Sequence, residues 1–210
     1  MSNLPKKNEE YGTREYWDKR YEQEPEDATF DWFKKYADVA HLIHDAIPEK
    51  SAKILMLGCG NSTLSEDMYD NGYKNIVNID YSPVVISQMS SRHRGRRPEM
   101  ECKFMDIRDL QFEDGSFDVA VDKGTMDAMM TANGDVWASN KNDPPQRVVE
   151  DCTKEVNEVV RVLRKGSGTF LYLTFGQPHF RRRYLAREGA SLEIKQIGDA
   201  FHYYLYILRT

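Results

Sequence analysis

KILMLGCGNSTLSEDMYDNGYKNIVNIDY, residues 53–81, reads as strand, glycine turn, helix, strand and acid. Lys53–Leu57 is a short apolar run with a β-branched member, which suits a buried parallel strand. Gly58-Cys59-Gly60 breaks it, and glycines let backbone pass close to a ligand. Asn61, Ser62 and Thr63 are each able to cap a helix start. Leu64, Met68 and Tyr69 give that helix an apolar face, and Gly72 is placed to stop it. Ile76–Ile79 is a second apolar strand, with Asp80 at its end. An acid about 20 residues beyond a glycine turn is where nucleotide-binding βαβ units hold a pair of ribose hydroxyls. The dinucleotide fingerprint G-x-G-x-x-G is incomplete, because Thr63 stands where its third glycine belongs.

The chain has 210 residues, which suits one domain with appendages: an N-terminal tail and two helices over 1–48, and the main α/β unit over 49–210. Hydrophobic residues at 40% and charged residues at 30% suit a globular protein in water. The net charge of -5, from 29 basic and 34 acidic residues, argues against broad nucleic-acid affinity. Cys59, Cys102 and Cys152 are too widely spaced for a zinc pattern or a disulfide framework, so a reducing compartment and the cytoplasm are expected. No apolar run is long enough to cross a membrane, and MSNLPKKNEE is too polar for a signal peptide. No metal site is expected: His41 and His44 are helically spaced but have no acidic or cysteine partner nearby in sequence.

Residues up to about Glu10 read as disordered. Thr13–Glu22 is a predicted helix, with Tyr16, Trp17 and Tyr21 along one side. Phe30-Asp31-Trp32-Phe33 is expected to open a second helix, ended by Pro48. Ser82 and Pro83 start a third, closed by the basic cluster Arg92, Arg94, Arg96 and Arg97, which reads as a solvated helix end. Met100–Met105 is the third strand. Just past it, Asp106 is well placed to accept from an adenine amino group. Phe117–Val121 is the fourth strand, followed by Asp122-Lys123-Gly124-Thr125-Met126-Asp127 where open α/β sheets carry their chemistry. The polar loop Thr131–Pro145 has the length of a lid or docking element. Gln146–Arg164 is amphipathic, with Val149, Cys152, Val156, Val159, Val160 and Leu163 inward. Gly168–Phe175 is the fifth strand, and Ser191–Ile197 with Phe201–Leu208 forms a hairpin around Gly198-Asp199. The expected fold is therefore α/β: a three-layer, Rossmann-like, mostly parallel seven-stranded sheet with a C-terminal antiparallel hairpin.

Together YWDKRY, DWF, LGCGNS and DKGTMDAM resemble one branch of the class I S-adenosylmethionine-dependent methyltransferases. That branch is similar to the lysine methyltransferases of eukaryotic elongation factor 1-alpha, and the likeness runs from about Tyr16 to Leu208. Two positions depart from the common class I pattern: Met56 replaces an acid, and Ser62 replaces a third glycine. The resemblance implies S-adenosyl-L-methionine as cofactor and a protein substrate, with elongation factor 1-alpha the named candidate. It places Trp17, Tyr21 and Trp32 over the cofactor and Gly58 and Gly60 beside its methionine end. Asp80 should hold the ribose, Tyr81 should lie against the adenine, Asp106 and Ile107 should meet the adenine edge, and Lys123 should lie next to the cofactor. The assembly expected is a monomer or weak dimer.

A sulfonium is already an activated leaving group, so the protein's work is positioning. Aromatic π faces favour a cation. An acceptor lysine has to arrive neutral, against a free pKa of about 10.4. Asp127 is the candidate for orienting that amine; a role as a helix cap fits the same position. His179 and Tyr184 are weaker candidates for the acceptor channel. Two other readings stay open: transfer to another protein or a small molecule, and a cofactor-binding scaffold without turnover.

Overall fold

The first parallel strand, β1 (Ile54–Leu57), is buried at every position and lies inside the sheet, flanked on both sides. It pairs in parallel with β2 (Ile76–Asp80) on one side and β4 (Val119–Lys123) on the other. β3 (Glu101–Phe104) extends the sheet beyond β2, and β5 (Thr169–Thr174) extends it beyond β4. The hairpin of β6 (Ser191–Ile197) and β7 (Tyr203–Arg209) closes the far side, with β7 antiparallel to β5. The order is β3-β2-β1-β4-β5-β7-β6, which gives the seven strands and C-terminal hairpin expected from the sequence. This computed structural model describes residues 4–131 and 144–210. Most of the Thr131–Pro145 loop lies outside the described residues.

The helices cover both faces. α2 (Tyr36–Ala46) and α3 (Leu64–Asp70) bury Val39, Ile43, Leu64 and Met68 on one face. α6 (Gln146–Val162) and α7 (Pro178–Leu185) bury Cys152, Val156, Val159 and Leu185 on the other. Gly72 ends α3 as expected: its φ of 103° lets the Tyr73 N–H reach back to the Met68 carbonyl at 3.1 Å. Ser82 caps α4 (Pro83–His93), accepting from the Val85 N–H. Of the basic cluster that follows, Arg94 and Arg96 are exposed as expected, whereas Arg92 and Arg97 are tied to Glu66 and Arg97 also to Asp70. α5 (Thr125–Thr131) follows β4 after a single glycine.

Four expectations need correction. Asn8–Gly12 forms a 3₁₀ helix where disorder was expected, because the Glu10 carboxylate accepts the Lys7 N–H at 2.9 Å and Tyr11 packs into an aromatic cluster. Phe30–Phe33 opens no helix. α1 (Arg14–Gln23) leads to an irregular segment, Phe33 has a φ of 66°, and α2 starts at Tyr36. Tertiary bonds to Asp31 hold that segment out of helical register. β4 lies two residues later than read, which moves Asp122 and Lys123 into the strand. The inward face of α6 carries Val148 and Glu155, while Val149 and Val160 are half-buried.

Candidate active site

At the carboxyl ends of β1, β2 and β4 a cavity is lined by Gly58, Gly60, Asp80, Tyr81, Asp106, Ile107 and Lys123. Tyr11, Trp17, Tyr21 and Trp32 roof it. All ten residues expected to meet a cofactor thus border one space.

The two motif glycines answer to the protein's own atoms. Gly58 has a φ of +56°, and a Cβ on it would lie 2.2 Å from Thr125 Oγ1. That hydroxyl donates to the Leu57 carbonyl at 3.0 Å and clamps the D-K-G-T turn onto the glycine turn. Gly60 has a φ of +50°, and its Cβ would meet the Tyr21 hydroxyl at 3.0 Å.

Asp80 is buried, and each of its oxygens takes one backbone donor: Gly60 N–H to Oδ2 and Ser82 N–H to Oδ1, both at 2.9 Å. Burial, partly offset by these bonds, pushes its carboxyl up to about 6. An ionised carboxylate has about four acceptor positions, so its oxygens retain capacity for a hydroxyl donor. With a facing aromatic roof, these residues fit a nucleoside that carries a cationic chain. Asp106 meets Arg108 in a bidentate pair, at 2.6 Å for the shortest contact, so its carboxylate is shared between this pair and the cavity.

The roof is an aromatic cluster. Trp17 stacks on Tyr21 with ring centres 5.8 Å apart and donates its indole N–H to the Tyr11 carbonyl at 2.7 Å. Tyr11 meets Trp32 edge-on at 5.5 Å. Arg20, itself buried, lies over Phe30 at 4.9 Å and over Trp17 at 5.5 Å. Asp31 then locks the segment down. It accepts from Lys123 Nζ at 2.9 Å, from Ser62 and from Thr63, while Lys123 also donates to the Trp32 carbonyl. Both side chains of the ion pair are 6% exposed. The ammonium beside it and the three hydrogen bonds, set against burial, hold the Asp31 carboxyl below its ordinary value.

A second cavity shares Tyr11, Trp17, Trp32, Gly124 and Ala128 with the first. Its other walls include Phe33, Met130, Phe175 and Phe180, with Asp127 and Arg181 as its charged groups. Asp127 is only 6% exposed. Its Oδ1 accepts from Thr174 and Arg181, both at 2.7 Å, and its Oδ2 from Tyr172 at 2.9 Å. Of the weaker acceptor-channel candidates, Tyr184 is buried behind this network and His179 is exposed on α7 beside Phe180.

Sequence reasoning missed Tyr11, Asp31, Thr125 and Arg181. Thr125 sat within a motif already singled out, and Asp31 sat between two aromatics of another; Arg181 was hidden in an arginine-rich run.

The chain matches the "Methyltransferase domain" family model over residues 54–139. It is 37% identical to the mouse (Mus musculus) EEF1A lysine methyltransferase 4, across 98% of this chain and 78% of that protein. The chain belongs to the eEF1A lysine methyltransferase branch of the S-adenosylmethionine-dependent methyltransferases. It is also 37% identical to the eEF1A lysine and N-terminal methyltransferase of cattle (Bos taurus), but spans 27% of that longer protein. A solved SAM-dependent methyltransferase from Methanosarcina mazei shares the fold, at 18% identity and a TM-score of 0.57, over 86% of this chain and 99% of that one.

Proposed function

We propose that this protein transfers a methyl group from S-adenosyl-L-methionine to a lysine side chain of a protein substrate, with eEF1A the substrate that its relatives' names suggest. The observation that carries this reading is the aromatic wall shared by the two cavities. It sets a cofactor site against an apolar channel with one buried carboxylate. When bound, S-adenosyl-L-methionine supplies a methyl on a sulfonium.

The residues divide the remaining work. Asp80 accepts from the ribose hydroxyls. Tyr81, Asp106 and Ile107 bound the adenine, and Gly58 and Gly60 the methionine end. Trp17, Tyr21 and Trp32 offer π faces to a cation. Pairing Lys123 with Asp31 cancels a positive charge that would otherwise repel the sulfonium. In the second cavity, Trp32, Phe33, Phe175 and Phe180 suit the methylene stem of lysine. Apolar walls and the Arg181 guanidinium disfavour an ammonium there, so the acceptor amine is drawn in neutral. Asp127 orients it through Oδ2. The three free cysteines support a reducing compartment, and we place the protein in the cytoplasm.

The test is transfer of labelled methyl to purified eEF1A, with the modified residue located by mass spectrometry. Label on a lysine is expected; no label, in a protein that binds S-adenosylhomocysteine, overturns the eEF1A assignment. Gly176→Ala tests the channel, because a Cβ there would lie 2.3 Å from the Arg181 guanidinium. Turnover should fall about tenfold or more, with cofactor affinity kept within about twofold. Equal loss of both would place Arg181 in the cofactor site instead.

A further inference from the structure

Glu155 is an anomaly. It lies on α6 among Cys152, Val156 and Val159, fully buried, and neither of its oxygens receives a hydrogen bond from the described residues. A buried ionised carboxylate without donors is heavily penalised. The acids facing it from neighbouring elements are Asp122 on β4, Asp127 on α5 and Asp106 after β3. On its own helix it faces Cys152, whose thiol burial pushes up. Among the described residues, Arg181 of α7 is already bonded to Asp127 and Tyr172, Arg108 to Asp106, and Lys123 to Asp31. Asp122, Asp127 and Glu155 are thus three deeply buried carboxyls, of which Asp127 holds the Arg181 guanidinium.

Asp122 shows where a proton would go. It is fully buried, its Oδ1 accepts the Thr125 N–H at 2.8 Å, and its Oδ2 accepts the Met126 N–H at 2.9 Å. Those two bonds hold the first turn of α5. Thr125 clamps the glycine turn, and Asp127 and Ala128 face the second cavity.

We propose that Glu155 is a positioning residue: as a neutral carboxylic acid it donates its proton to the Asp122 carboxylate, and the pair fixes the turn that carries Lys123, Thr125 and Asp127. Asp122 then has three donors, and the pair carries one negative charge in place of two. Burial and the neighbouring Asp122 carboxylate both hold the Glu155 carboxyl well above its usual range, in keeping with this arrangement. The assignment concerns α6 and the β4–α5 turn in the free protein, so it can fail while the methyltransferase reading stands.

The experiment compares wild type with Glu155→Gln and Glu155→Leu. Gln keeps a neutral donor; Leu fills the space without one. Amide hydrogen exchange of Thr125 and Met126 is the main readout, and calorimetric binding of S-adenosylhomocysteine is the second. Glu155→Gln should match wild type within about twofold in both. Glu155→Leu should stay folded but lose about tenfold in protection at those two amides, with weaker binding. Infrared spectra at about pH 8 should show a protonated carboxylic acid carbonyl in wild type that Glu155→Gln removes. Equal behaviour of the Leu and Gln variants overturns the proposal, as does absence of the acid band from wild type.

Discussion

Replacing Gly58 by alanine should be far more damaging than an exposed turn glycine would suggest, and the reason lies in Thr125. At a φ of +56°, a side chain is strained before any contact is counted; an L-residue in the left-handed region costs about 1–2 kcal/mol. The new Cβ would also lie 2.2 Å from Thr125 Oγ1, 2.6 Å from its Cγ2 and 2.9 Å from its Cβ. Thr125 cannot swing away without giving up its bond to the Leu57 carbonyl. Overpacking of this kind costs about 1–3 kcal/mol. The sum is about 2–5 kcal/mol, roughly 5–20 °C in Tm for a chain of this size. The assay is thermal and urea unfolding of Gly58→Ala, Thr125→Ala and the double variant. Thr125→Ala removes the two closest atoms. Gly58→Ala should therefore cost at least about 1 kcal/mol less in that background. Additivity within about 0.5 kcal/mol would refute the packing argument. It would return Gly58 to a position reserved for close approach by a ligand.

Other perturbations follow from the same geometry. Lys123→Met leaves the buried Asp31 carboxylate without its cation and should cost about 3–5 kcal/mol, with faster proteolysis near residues 25–34; Asp31→Asn in the same chain should restore part of the loss. Unchanged cleavage in Lys123→Met would mean that the ion pair does not hold the roof. If Asp80 holds the ribose as proposed, it should set the pH dependence of cofactor affinity. With its carboxyl raised to about 6, it is ionised at neutral pH and protonates in mildly acidic buffer. Affinity for S-adenosylhomocysteine should be full above about pH 7 and fall by up to about tenfold per pH unit below about 6. Asp80 itself favours folding as pH drops from about 6 towards 3.8, whereas buried His93, lowered to about 4, opposes it over much of the same range, so unfolding is followed by circular dichroism in the same titration. Asp80→Asn should bind at least about tenfold more weakly, with a flat profile. A sloping profile in that variant would assign the titration to another group.

The sequence by itself determined the α/β class, the seven strands of the sheet and its C-terminal hairpin. Those signals are local: apolar runs of strand length, glycines at the turns, Ser82-Pro83 at a helix start, and an acid at the end of β2. A period of two or of 3.6 residues and a backbone that needs glycine are written along the chain. The structure alone decided what those residues do for one another. Asp31 was invisible as a site residue because its partners, Ser62, Thr63 and Lys123, are 31 to 92 positions away. Residues Phe30–Phe33 looked helical by their apolar content, yet distant bonds outweighed that weak local preference. Arg181 and Asp127 meet across 54 positions, and Glu155 lies on a face that periodicity assigned to valines. A buried charge is tolerated when distant elements bring it a partner, and that pairing exists once the chain has folded.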